Sequence, residues 1–391
     1  MIVAASKVIE APRFNGQRLD AISRRLEQDV ASSAIPGATI MIGSRDQVLF
    51  ERSVGFRDVT THDPLQLDAI WRIYSMTKPL VTAAAMSFVE QGLLRLDQAV
   101  ADFIPAFGKL RVMDGEQSTV SATNPPTIQD LMRHTAGLAY GYLGESAAQR
   151  AYAADGFLKE DLSNADFVDR LAALPLEYQP GTVWHYSHAT DVLGRVLEII
   201  RGADLQGILQ ETLFAPIEMP ETVFRLASAE RHRVAEPLPS SRGIPPYFLD
   251  PCRPRHGQRG GGGLVSTARD YARFLRMLLG NGTLDGRRVL SPATVDLMTA
   301  DHLGTSIARA SYYPPGPGYG FGLGFAVRLS QGEAPFPGSC GDYFWSGGGG
   351  TYFWVDPVYG LFTLLLLQSS SPEQRQRYRT LIRSMVYAAV D

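Results

Sequence analysis

Residues 71–94 read WRIYSMTKPLVTAAAMSFVEQGLL. An apolar, alanine-rich helical pattern begins just after Ser75, and Lys78 stands three residues further on. Residues at i and i+3 share one helix face, one turn apart. Pro79 fits only the first turn of a helix, which places the pair at the helix N-terminus. There the helix dipole and free N–H groups favour negative charge developing near Ser75. The same field, with burial, disfavours the ammonium form of Lys78. Lysine's ordinary pKa of roughly 10.4 falls by several units when the group is desolvated. A neutral lysine can take the proton of a serine hydroxyl and so activate it without histidine. An arbitrary S-x-x-K is usually a helix cap beside a surface lysine. This one is the only S-x-x-K in the chain and sits between an apolar strand-like entry and a strongly apolar helix.

Outward from this helix, strand patterns lie toward both ends of the sequence and helices fill the middle. Leu19, Ile22, Leu26 and Val30 have helical spacing over residues 16–32. PGATIMIGSRDQVLFERSVGFRD reads as two strands around a polar turn at Ser44–Gln47. TIQDLMRHTAGL predicts a helix that stops at Gly137, and residues 164–174 and 188–201 predict helices. The segment 236–262 is rich in proline and glycine and reads as a loop, as does 311–320. STARDYARFLRMLLGNG is a helix capped by Ser266 or Thr267 and ended by glycine. GFGLGFAVRL, GTYFWVDP and GLFTLLLLQ read as strands, followed by a helix over 373–389. Neither strand group makes a stable sheet alone. The expected fold is therefore α+β: one antiparallel sheet joining both groups, covered by the first and last helices, beside a mostly helical lobe. Residues 1–100 and 320–391, with part of 180–235, would form the sheet domain. Residues 101–180 and 236–319 would form the lobe.

The 391 residues are 45% hydrophobic and 20% charged, with a net charge of −3. That is ordinary globular composition and gives no reason to expect a nucleic-acid or membrane partner. LFTLLLLQ is too short to span a bilayer, and the N-terminus has no secretory pattern, so a cytoplasmic location is expected. Two cysteines, Cys252 and Cys340, suggest neither a disulfide framework nor a zinc site. Only four lysines occur, and none follows Lys159.

Further motifs carry chemistry. In PGTVWHYSHATDVLG, Tyr186 can shuttle a proton beside a neutral lysine, although alone it reads as a packed aromatic. In YFWSGGGGTYFWVDP, four glycines let a backbone approach a ligand closely. A backbone N–H there, paired with that of Ser75, could hold an oxyanion. Together S-M-T-K-P-L, L-M-R-H-T-A-G-L, P-G-x-x-W-x-Y-S and G-G-G-G-L-V-S-T-A-R-D resemble the serine β-lactamase-like superfamily. Within it the chain is similar to class C β-lactamases and, more closely, to bacterial family VIII carboxylesterases. The resemblance covers nearly the whole chain. It implies Ser75 as nucleophile, Lys78 and Tyr186 as proton-transfer groups, and the N–H groups of Ser75 and Gly348 as oxyanion hole. It sets Trp345-Ser346-Gly347 where lactamases carry K-T-G, and matches Tyr140 to an aromatic beside the esterase site.

Two departures from the family pattern shape the expected function. A K-T-G lysine is impossible here, and Trp345 in its place points to apolar, uncharged acyl or alcohol groups. His188 stands where the Y-x-N asparagine would bind an amide; it could bind substrate, touch Lys78, or be a solvated helix-start residue. Tyr247 and Phe248 are further candidate pocket walls. The expected activity is hydrolysis of small carboxylic esters, short-chain acyl esters favoured, with no metal or other cofactor. Lactamase or D-amino-acid peptidase activity, acyl transfer to an alcohol, and a catalytically silent scaffold are the alternatives. No G-x-S-x-G occurs, and His185 and His188 lack an evident third metal ligand.

Overall fold

The computed structural model describes residues 12–241 and 249–391, so Tyr247 and Phe248 lie outside the described residues. An eight-stranded sheet organises the chain. Its strands are β1 (Gly37–Gly43), β2 (Val48–Asp58), β3 (Asp63–Pro64), β4 (Tyr319–Phe321), β5 (Ala326–Arg328), β6 (Tyr343–Ser346), β7 (Tyr352–Asp356) and β8 (Leu361–Leu367). Their spatial order is β4-β5-β6-β7-β8-β1-β2-β3. The two strand groups join at the centre, where β1 and β8 run antiparallel with Ala38 opposite Leu367 and Gly43 opposite Phe362. Both strands are buried along their whole length. That explains their unbroken apolar runs, since a strand covered on both faces has no polar side.

Five longer helices complete the frame: α1 (Gly16–Ala31), α2 (Thr77–Glu90), α3 (Ala189–Arg201), α4 (Ala268–Leu279) and α5 (Pro372–Ala389). Strand β7 shows how they clothe the sheet. Tyr352 and Trp354 meet Arg383 and Tyr387 of α5, whereas the intervening Phe353 meets Tyr271 of α4. Alternate residues of a strand point to opposite faces, so α5 and α4 cover opposite sides. Helix α1 packs beside α5. Helices α2 and α3 pack together and open the helical part of the molecule. Among the described residues, no helix is long and apolar enough to cross a membrane.

Three elements differ from the sequence reading. GFGLGFAVRL is a tight hairpin of β4 and β5, turning at Gly324 with φ +85°. Tyr343–Ser346 is a further strand, β6, directly before the glycine run. The helix at Ile128 ends at Met132, because His134 and Gly137 both adopt left-handed backbone that a helix cannot continue.

A buried ion triad ties β5 and β6 to α5. Asp342 meets Arg328 and Arg383 at 2.6 Å each, all three side chains fully buried, and accepts a hydrogen bond from Tyr319 at 2.9 Å.

Candidate active site

Ser75 lies in a single 3-10 turn, Tyr74–Met76, immediately before α2. The turn is fixed from several directions. Ile70–Arg72 pairs with Val265–Thr267, and the Ile73 N–H donates to the Leu264 carbonyl at 3.2 Å. Tyr271 donates to the Met76 carbonyl at 2.9 Å. Thr351, just past the glycine run, donates to the Ile73 carbonyl at 3.3 Å. Tyr74 itself has φ +46°, a conformation that costs about 1–3 kcal/mol and persists only where its surroundings impose it. Ser75 is partly exposed at this corner.

Lys78 is in the first turn of α2 and is 1% exposed. Its Nζ lies 3.1 Å from Ser75 Oγ, 3.1 Å from the Tyr140 hydroxyl and 2.6 Å from the Gly261 carbonyl oxygen. Burial pushes its pKa down to about 7, and the Asp191 carboxylate pulls the other way. The Gly261 oxygen can only accept, so it takes one N–H. A neutral amine then has one N–H and its lone pair for two hydroxyls, and either hydroxyl can donate to that lone pair.

Tyr186 presents its ring to the amine, with Nζ 4.7 Å from the centroid. Burial raises its phenol pKa well above the ordinary value, while the Ser75 hydroxyl and the Trp345 indole pull it back. Neither bond closes to hydrogen-bond geometry, and the Tyr186 hydroxyl remains a buried group without a partner. The rings of Tyr140 and Trp345 pack on Tyr186 at 5.3 and 5.4 Å between centroids. The glycine run abuts the serine turn: a Cβ on Gly349 would fall 2.4 Å from the Tyr74 ring, and one on Gly347 2.5 Å from the Ile73 carbonyl oxygen. Gly348 between them is the partly exposed member of the run. The structure thus brings Ser75, Lys78, Tyr140, Tyr186, Trp345 and Gly347–Gly348 into one place.

His188 departs from one of its expected positions. It is not solvated, and among the described residues its hydrogen bond goes to Asp191 rather than to Lys78. It is 3% exposed, packed against Tyr140, Phe157 and Phe167, with Nδ1 2.8 Å from Asp191. The other Asp191 oxygen accepts the Gly261 N–H at 2.8 Å. A chain therefore runs from His188 through Asp191 and Gly261 to Lys78. Asp191 and Gly261 escaped the sequence reading; H-x-x-D and the first glycine run carry them, but only the fold joins them. Tyr140 is also more than a wall, being bonded directly to the amine. His134 is packed among Trp184, Tyr186 and Phe321, and burial pushes its imidazole pKa well down.

Such a cluster can do acyl chemistry: a hydroxyl beside an amine poised between its two protonation states, a protonated phenol, and a backbone run at the serine. The comparisons agree in kind. The sequence pattern of the Beta-lactamase family matches residues 22–386. Protein Rv1367c of Mycobacterium tuberculosis is 36% identical over 90% of both chains. Esterase EstB of Burkholderia gladioli is 30% identical over 95% of both. The solved structure of EstCE1, described as a hydrolase with promiscuous acyltransferase activity, superposes with a TM-score of 0.81 at 27% identity, covering 95% of this chain and 99% of that one. With the family pattern spanning nearly all of the sheet and helices, and the S-x-x-K serine and lysine in contact, the chain belongs to the Beta-lactamase family and is a serine hydrolase of that fold.

Proposed function

We propose that the protein cleaves carboxylic esters, short-chain acyl esters among them, through an acyl-enzyme on Ser75. The observation that carries this reading is the buried Lys78 amine, 3.1 Å from Ser75 Oγ with a pKa near 7. Neutral Lys78 takes the Ser75 proton as Oγ attacks the ester carbonyl carbon. The N–H groups of Ser75 and Gly348 hold the oxyanion. As the tetrahedral intermediate collapses, the C–O bond to the alcohol breaks and Tyr186 supplies the proton that the alkoxide takes. Its raised pKa keeps the phenol protonated at neutral pH, which suits it as donor and leaves Lys78 as the base. Lys78 then returns its proton to Tyr186. Water next attacks the acyl carbonyl, the same groups relay its proton, and Ser75 is released.

An ester suits this site because an alkoxide leaves more readily than an amine. Similarity to EstB and to EstCE1 supports ester chemistry, and the latter also supports acyl transfer when an alcohol replaces water. The test is direct. A phosphonate inhibitor should add its mass to the Ser75 peptide, and a chromogenic short-chain ester should turn over far faster than nitrocefin. Labelling elsewhere, or Ser75→Ala turning over like the wild type, would overturn the proposal. Nitrocefin outpacing the ester would give the lactamase reading instead. Product formed with added alcohol separates transfer from hydrolysis.

A further inference from the structure

Three rings pack on the imidazole of His188. Tyr140, Phe157 and Phe167 meet it roughly edge-on, with centroids 4.2, 5.5 and 5.3 Å away. The residue stands at the N-cap position of α3, yet its side chain does not cap the helix. Nδ1 faces the Asp191 carboxylate instead, at 2.8 Å. Burial pushes the imidazole pKa down against the pull of Asp191, so the ring is neutral at neutral pH. Burial alone would raise the Asp191 pKa, but the bond from His188, with the charge of Lys78 and the Gly261 N–H, holds it below the ordinary carboxylate value. A carboxylate only accepts, so the single proton of the neutral ring sits on Nδ1. Nε2 is then a bare lone pair, buried without a partner.

A buried acceptor left unpaired is costly, and a phenylalanine would fill the same aromatic box without that cost. What the imidazole adds is one N–H directed at Asp191. The two Asp191 oxygens each take one bond at 2.8 Å, from His188 Nδ1 and from the Gly261 N–H, which together fix the plane of the carboxylate. The Gly261 carbonyl, across the same α-carbon, accepts from Lys78 at 2.6 Å. That leaves the amine directed at Ser75 Oγ and the Tyr140 hydroxyl, both at 3.1 Å. Tyr140 is also the ring nearest the imidazole, so two of the three groups that hold Lys78 are supported by His188. Lys78 and Arg259 are the cations whose charges reach His188.

We propose that His188 is a positioning residue for the acylation base: its Nδ1–H locks the Asp191 carboxylate and, through Gly261, the direction of the Lys78 amine toward Ser75. The proposal rests on Lys78 being the base that activates Ser75. The side chain that the family pattern sets toward a substrate is here turned inward and serves the amine.

The experiment compares H188F, which keeps a ring in the aromatic box but has no N–H, with H188N, whose amide nitrogen stands where Nδ1 stands. Against a chromogenic short-chain ester, H188F should lower kcat about tenfold or more, the scale of one hydrogen bond to a charged group, while KM changes less than about twofold. H188N should recover most of that loss. The amine itself is read by NMR without substrate. Lysine isotope-labelled at Cε gives few signals, since the chain holds only four lysines, and the Lys78 signal is the one missing from K78R. Its titration midpoint should move by about half a pH unit or more in H188F and stay in place in H188N. Circular dichroism melts establish that each variant is folded, and H188Q, whose amide lies one atom further out, replaces H188F if that variant does not fold. Wild-type kcat in H188F, an equal loss in H188N, or a Lys78 midpoint unmoved in H188F overturns the assignment. Failure of the underlying reading looks different: Ser75→Ala turns over like the wild type. The Lys78 titration then decides alone. A midpoint moved in H188F and kept in H188N supports the tether, and one unmoved in both overturns it.

Discussion

Asp191 holds Gly261 by its backbone: a carboxylate oxygen accepts the glycine N–H at 2.8 Å, and a Cβ there would fall 2.7 Å from the other oxygen. The Gly261 carbonyl in turn accepts from Lys78 at 2.6 Å. A carboxylate on one helix thus fixes the direction of an amine on another through a residue that has no room for a side chain. Gly261→Ala should cost about 1–3 kcal/mol of stability through overpacking. It should also lower kcat by more than it raises KM, because Lys78 loses its alignment with Ser75. Urea denaturation beside ester kinetics reads both effects.

Asp191→Asn keeps the shape and the bond to the Gly261 N–H but removes the charge. Asp191 is the group that raises the Lys78 pKa against burial. Without it the pKa should fall, and the acidic limb of the kcat/KM profile should move to lower pH. A limb that stays in place would show that the charge of Asp191 does not reach the amine.

The wild-type profile follows from the same lysine. With neutral Lys78 as the proposed base, the competent fraction should grow as pH rises through about 7. Ser75, Tyr140 and Tyr186 face it directly, and Asp191 acts on it through its charge. Burial keeps both phenols and the His134 imidazole uncharged at neutral pH. One rising limb near neutrality is therefore expected in kcat/KM.

Removal of the proposed proton-transfer groups should be graded. Lys78→Ala and Tyr186→Phe should each lower kcat by roughly 10²–10⁴ in a folded protein. Tyr140→Phe, which removes one hydrogen bond to the amine, should cost only about tenfold. Equal losses at all three would put Tyr140 in the proton path.

Stability should depend on the ion triad more than on any surface pair. Asp342→Asn leaves Arg328 and Arg383 buried without their shared counter-charge, a loss of about 3–5 kcal/mol. Denaturant unfolding should show this, whereas removing exposed Arg95, paired with Asp97, should change little.

Much of this architecture was legible in the sequence because its signals are local. The unbroken apolar run at Leu361–Leu367 marked a strand, and Pro79 placed Lys78 at a helix start. The short strand Tyr343–Ser346 was hidden because four residues before a glycine run carry too little periodicity. Asp191 and Gly261 were hidden for another reason: each is ordinary in its own segment, and their bond joins positions far apart in the chain.

The pairing of β1 with β8 also sets a schedule. A ribosome makes Ser75 and Lys78 well before the strand that completes the middle of the sheet. Contacts so distant in sequence close slowly and late. The nascent polypeptide therefore holds Ser75 and Lys78 in an unassembled pocket until β8 has emerged and found its place beside β1.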